Sequence, residues 1–370
     1  MTRKFGIPTV DLFAGAGGLS VGATSAGCDV RAAFELDLKA CETMRLNDGY
    51  HGQVLQADVA KLTGDDLRQA AKLKAKDPLI VVGGAPCQPF SKAAYWVEDG
   101  EESRYRRARA AGESVLRPAA PTEARPDERR TLVEEFWRLI FESNADGFVF
   151  ENVPSIRHPR NRPVLEGFRA AAEAAGYEVT ETLGNAAHFG VAQTRERVFL
   201  LGSRKRKPVA PSATHAMTSD RATGLKAPAT AGAALEGLDG ADYFEPEEVV
   251  TGRWAEHLKT VPPGSNYKAH TAWAGHPHPS FVTETRFWNF LLKLAPERPS
   301  WTIAASPGPW TGPFHWDTRR LRTVEMAALQ GFPRGYQFAG SRRDRVRQIG
   351  NAVPPPMAAA MVRAVAEAVT

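Results

Sequence analysis

A chain of 370 residues with 43% apolar and 24% charged side chains is long enough for two ordinary domains, and its composition is neither disordered nor membrane-like. The formal net charge of +5 and a pI of about 9.1 permit a polyanionic partner without requiring one. Cys28, Cys41 and Cys87 are an odd number at uneven spacings, which argues against a disulfide framework or a zinc site and suits a reducing compartment. No signal-like core follows Met1 and no apolar run nears membrane-spanning length, so a soluble, cytoplasmic protein is expected.

The first half alternates apolar runs with helix-like stretches, the pattern of a parallel sheet built from βαβ units. Strands are expected at Thr9 to Phe13, Val30 to Phe34, Val54 to Ala57, Leu79 to Val82, Gly147 to Phe150 and Arg197 to Gly202, with helices at Leu19 to Ala26 and Leu38 to Asn47. Phe13, Glu35, Asp58, Cys87 and Glu151 then all follow strand carboxyl ends, the edge where open α/β sheets bind ligands. Residues 92–126 read as a long inserted loop of mixed charge that includes Arg104, Arg106, Arg107 and Arg109. After Ser203 the composition turns rich in Pro, Gly, Ala, Trp and Thr, so 204–318 is expected to be a second, smaller, irregular domain. Residues 1–203 and 319–370 are expected to form the main one, whose last helix (about Pro356 to Val369) carries an apolar face that fits a buried stripe. Arg204-Lys205-Arg206-Lys207 and the group Arg334, Arg342, Arg343, Arg345 and Arg347 read equally as solvated faces or polyanion contacts.

Asp11-Leu12-Phe13-Ala14-Gly15-Ala16-Gly17-Gly18 is a strand, a glycine turn and a helix start; it lets a ligand approach the backbone but matches neither a dinucleotide fingerprint nor a P-loop. With Glu35 for ribose hydroxyls and Asp58 for an adenine amine, it suggests an adenosine-containing cofactor without a pyrophosphate. Gly83-Gly84-Ala85-Pro86-Cys87-Gln88-Pro89 holds one thiol in a stiff loop. Glu151 at a strand end is either a salt-bridge partner or a general acid with a burial-raised pKa. Arg195 and Arg197 read as an ion-paired edge or as a cationic lining that lowers a thiol pKa.

These blocks, together with Asn185 to Arg197, Arg320 to Pro333 and Gln348 to Pro354, resemble the DNA (cytosine-5) methyltransferase family of the prokaryotic restriction–modification type. The resemblance spans nearly the whole chain except 92–126 and much of 204–318. It implies a Rossmann-like S-adenosylmethionine-dependent sheet and methyl transfer to C5 of a cytosine flipped out of double-stranded DNA. It further implies that the Cys87 thiolate attacks C6, that Glu151 engages N3 and the exocyclic amine, and that Arg197 bonds O2 with Arg195 in support. The cofactor would lie against Phe13, Gly15, Gly17, Gly18, Glu35, Leu36, Asp58, Val59, Pro86, Leu132, Asn351 and Val353. A monomer is expected, with a cognate restriction endonuclease as genetic partner and no metal.

The 92–126 insertion is longer than the family's usual loop between nucleophile and Asp-x-Arg, and the resemblance makes its Arg104, Arg106, Arg107 and Arg109 candidates for the DNA backbone. Target reading falls to 204–318, with Arg253, Asn266, Tyr267, Lys268 and Arg286 as candidate contacts. Two alternatives stay open. A tRNA cytosine-5 methyltransferase of the same family would carry Cys-Phe-Thr, which no cysteine here begins; a catalytically silent DNA-binding regulator would have lost Cys87, Glu151 or the glycine turn.

Overall fold

The computed structural model describes residues 4–86, 90, 104–105, 108, 113–116, 127, 130–217, 224–281 and 288–370. Its centre is a seven-stranded sheet of order β3-β2-β1-β4-β5-β7-β6. The strands are β1 (Pro8–Leu12), β2 (Asp29–Glu35), β3 (Gln53–Gln56), β4 (Ile80–Gly83), β5 (Gly147–Asn152), β6 (Glu178–Asn185) and β7 (Glu196–Ser203). The first five pair in parallel, while β7 runs antiparallel to both β5 and β6. Six strands fall where the apolar runs predict. β6 was not among them, because its polar Glu-Val-Thr-Glu-Thr sequence lies at the sheet edge and needs no continuous apolar run.

Period-2 alternation sends each strand's side chains into two separate cores. Val81, Phe148, Phe150, Val198 and Leu200 face one core with helices α3 (Gly64–Ala70), α4 (Leu132–Glu142) and α5 (Arg162–Ala174). Ile80, Val82, Val149, Phe199 and Leu201 face the other, covered by α1 (Gly18–Ala26) and the C-terminal helix α10 (Pro355–Val369). Helices α1 and α10 cross so closely that a Cβ on Gly22 would stand 2.4 Å from the Ala358 Cβ. The apolar stripe expected on the last helix is buried there.

Helix α2 (Leu38–Leu46) follows β2, and α8 (Thr323–Gln330) and α9 (Arg342–Asn351) precede α10. Among the described residues of 204–318 there are two short helices, α6 (Ala231–Leu235) and α7 (Ala255–Thr260), several 3-10 turns and isolated β-bridges. Two apolar clusters divide this stretch. Leu258, Val261, Tyr267, Phe281, Leu291 and Phe314 form a core of their own. Leu235, Leu238, Leu294 and Ile303 instead pack with Leu329 and Ile349 of α8 and α9.

From β1 the chain moves outward through β2 and β3, then returns to β4 on the other side. This makes the β1/β4 boundary the topological switch point, where a crevice opens at the strands' carboxyl ends.

Candidate active site

A cavity of about 300 Å³ occupies that crevice, a volume suited to a small-molecule ligand. Its floor is the turn leaving β1, where Phe13 (φ 55°) and Gly15 (φ 55°) take left-handed conformations. Such backbone is costly for phenylalanine, and it turns that residue into the cavity lining. Glu35, at the end of β2, organises the turn: one carboxylate oxygen accepts from Gly15 N at 2.7 Å and the other from Asp37 N at 2.8 Å. Gly18 must lack a side chain, since a Cβ would sit 2.3 Å from the Val353 carbonyl.

Beneath the turn lie two buried polar devices. The Tyr336 hydroxyl donates to Ala16 O at 2.6 Å, leaving its oxygen to accept from His51 Nε2 at 2.8 Å. Burial pushes the His51 imidazole down to about 4. Asp11, fully buried on β1, accepts from Ser20 N (3.0 Å) and Ser20 Oγ (2.6 Å), while its other oxygen finds no partner among the described residues. Burial pushes its carboxyl up to about 7 despite the two Ser20 hydrogen bonds.

Across the cavity, Glu151 and Arg197 form an ion pair at 2.7 Å, both nearly buried. Burial raises the Glu151 carboxyl above its ordinary value; the Arg197 and Arg195 guanidinium groups oppose the shift without cancelling it. The segment Gly84-Ala85-Pro86 leaves β4 directly beside this pair. Asn152 Nδ2 donates to Ala85 O at 3.1 Å, and a Cβ on Gly84 would come within 2.6 Å of a Glu151 carboxylate oxygen. Cys87, the next residue after Pro86, lies outside the described residues, as do Gln88 and Pro89.

Phe13, Gly15, Gly18, Glu35, Leu36, Asp58, Val59, Pro86, Leu132, Glu151, Arg197, Asn351 and Val353 all line this one cavity. Two other expected residues stand behind it. A Cβ on Gly17 would strike the His51 ring at 2.2 Å, so this glycine serves packing under the turn. Arg195 is buried, donating to Gly350 O at 2.7 Å and Ile303 O at 3.3 Å, and ties the segment entering β7 to α9. The lining also includes Asp37 and Arg347, paired at 2.7 Å, which the sequence reading did not select. Arg347 lies one helical turn before Asn351 on α9, and that i, i+4 spacing was the available signal.

Elsewhere, Tyr267 is buried in the core around Phe281, whereas Lys268 and Arg253 are exposed, Arg253 stacking over Trp254 at 4.6 Å. Arg286, Arg106, Arg107 and Arg109 lie outside the described residues. No helix among the described residues is long and apolar enough to cross a membrane.

The lining chemistry fits S-adenosylmethionine. Glu35, Asp37, Asp58 and Glu151 contribute four carboxylates against the two guanidinium groups of Arg197 and Arg347, each already paired, and among the described residues no lysine lines the cavity. That balance favours a cationic ligand and offers nothing to a pyrophosphate. Phe13, Leu36, Val59 and Leu132 supply the apolar faces an adenine ring needs.

Comparison with known proteins agrees. The type II methyltransferase M.SacI of Streptomyces achromogenes is 35% identical, the alignment covering 98% of this chain and 93% of that protein. M.NgoFVII of Neisseria gonorrhoeae, also a type II methyltransferase, is 29% identical over 94% of this chain and 83% of its own length. The fold matches a solved Escherichia coli prophage protein described as a DNA modification methyltransferase, with a TM-score of 0.67 and 20% identity over 98% and 99% of the two chains. The family model for C-5 cytosine-specific DNA methylase matches residues 7–367, and the chain belongs to that family as a DNA cytosine-5 methyltransferase of the restriction–modification type.

Proposed function

We propose that the enzyme works through a covalent adduct between Cys87 and C6 of a cytosine extruded from duplex DNA, with S-adenosylmethionine in the switch-point cavity. The observation that carries this reading is the Glu151–Arg197 pair at 2.7 Å, which lines the same cavity as the glycine turn and the Gly84-Ala85-Pro86 segment leading into Cys87.

Cytosine C5 is too weak a nucleophile to take a methyl group unaided, so C6 must first be attacked. In that step the Cys87 Sγ–C6 bond forms and the C5=C6 electrons move into the ring. Glu151 answers the charge at N3, with a carboxyl that burial holds above its ordinary value. Arg197 bonds O2 and keeps the Glu151 carboxyl oriented. When bound, S-adenosylmethionine supplies C5 with an electrophilic methyl group. A base, water in this account, then removes the C5 proton; the electrons restore C5=C6 as Cys87 leaves. Phe13, Leu36, Val59 and Leu132 hold the adenine faces, Glu35 the ribose, Asp58 the exocyclic amine, and Asn351, Val353 and Pro86 close the pocket.

Residues 204–318 act as the target-reading domain against a catalytic body of 1–203 and 319–370, a division supported by the separate core around Tyr267 and Phe281. The protein acts as a monomer alongside a cognate restriction endonuclease. Incubation with tritiated S-adenosylmethionine, mixed duplex DNA and tRNA tests the reading. Label should enter DNA and be lost with Cys87→Ala, and bisulfite sequencing of host DNA then gives the target. Transfer to tRNA alone would sink the assignment, and cofactor binding without any transfer would point to a silent regulator.

A further inference from the structure

Helix α9 lines two cavities. Arg347, Gln348 and Asn351 face the one just described, while Arg342, Arg343 and Val346 face a second of about 560 Å³. The two are linked by a short path. Arg195, two positions before Arg197, donates to Ile303 O, and Ser306, three residues further on, lines the second cavity, at most about 11 Å along an extended chain.

The charges in this second cavity are unbalanced. Arg342 is matched by Glu245 at 3.2 Å, but Arg320 and Arg343 have no ion-pair or hydrogen-bond partner for their guanidinium groups among the described residues. Arg320 lies half-buried over the Phe314 ring, 5.8 Å from its centroid, with Arg342 as a like-charged neighbour. Glu247 is the lining carboxylate, and it is exposed. The Ser306 and Thr311 hydroxyls also make no side-chain hydrogen bond among the described residues, and the first turn of α9 adds its own positive end. Pro313, Phe314 and Val346 give an apolar wall. Two uncompensated guanidinium groups, two idle hydroxyls and an apolar wall suit a phosphate joined to a sugar.

We propose that this cavity binds a backbone phosphodiester of the DNA strand carrying the target cytosine, with Arg320 and Arg343 on the phosphate oxygens and Ser306 and Thr311 completing the contact. The assignment rests on the DNA-methylating reading above and extends it to a contact that positions the strand without reading its sequence.

The test is the salt dependence of duplex binding. Arg320→Gln and Arg343→Gln should each reduce the slope of log affinity against log salt by about 1 and weaken binding roughly 5- to 10-fold at about 0.15 M salt; the double variant should lose about 2. Arg320→Lys keeps the charge and should recover most of the slope, which a purely structural arginine would not do. Arg343 is exposed, so its substitution leaves the fold intact. Parental slopes in both Gln variants overturn the proposal. So does an unchanged DNA slope combined with a melting temperature that inorganic phosphate raises in the parent alone, since that marks a free phosphate ligand. A parent that binds no duplex overturns this assignment together with the DNA reading; methyl transfer with unchanged slopes removes the cavity assignment alone.

Discussion

The Tyr336 hydroxyl reaches the Ala16 carbonyl at 2.6 Å from 320 positions away in the chain, and so fixes the glycine turn from below. Its oxygen is also the acceptor for His51 Nε2. Tyr336→Phe therefore frees the Ala16 carbonyl and strands a buried imidazole N–H, a loss of about 1–3 kcal/mol in stability. The looser turn should raise KM for S-adenosylmethionine about 5- to 10-fold while kcat changes less, read by steady-state kinetics with calorimetric cofactor titration. An unchanged KM would show that the turn holds its shape without this bond.

Asp11 gives the protein a pH-dependent stability term. Its folded-state value of about 7 lies above the unfolded 3.8, so the native state holds the proton more tightly. The contribution is complete below about pH 4 and is lost as pH rises toward 7, at most about 4 kcal/mol. His51, pushed down to about 4, acts in the opposite sense between pH 4 and 6.5, because there the unfolded state binds the proton. The difference between parent and Asp11→Asn isolates the carboxyl. Melting temperatures from pH 4 to 8 should show the variant gaining on the parent as pH rises, and parallel curves would contradict the burial argument.

Glu151→Gln keeps an acceptor for Arg197 but removes the titrating proton. Turnover should fall about 10²- to 10⁴-fold with cofactor affinity retained. In the parent, a need for protonated Glu151 means kcat declines as pH rises through its elevated value. In Glu151→Gln that decline should vanish from the pH profile.

Gly22→Ala tests the helix crossing. The new methyl would meet Ala358 Cβ at 2.4 Å and Ala359 N at 2.8 Å, so the helices must separate. Overpacking of this kind costs about 1–3 kcal/mol. Thermal unfolding should register it, and a neutral result would mean that α10 slides freely over α1.

The parallel strands and the glycine turn were legible because short-range chemistry writes them. An apolar run followed by Gly-Ala-Gly-Gly has few other solutions, and a carboxylate just past a strand falls at the ligand edge by topology alone. β6 was not legible, since Glu178 and Thr180 alternate with modest apolar residues at an edge that tolerates polarity. The Asp37–Arg347 and Tyr336–Ala16 pairings join residues about 300 positions apart, and only the folded topology brings them together. Arg195 illustrates a subtler limit. Its residue type suggested a cationic lining, yet its guanidinium is occupied by two backbone carbonyls. Spacing alone could not tell that arrangement from the one at Arg197.

The placement of α10 also bears on synthesis. Met357, Ala358, Met361, Val362 and Val365 complete a core whose other side, from Ile7 to Val30, is translated first. A nascent chain lacking this helix would present an unfinished apolar face along α1. The glycine turn that opens α1 is thus among the earliest parts made and among the last to settle. Ribosome-bound chains stalled before Pro355 should bind chaperone and no S-adenosylmethionine, whereas chains that expose the whole of α10 should bind less chaperone and should bind the cofactor.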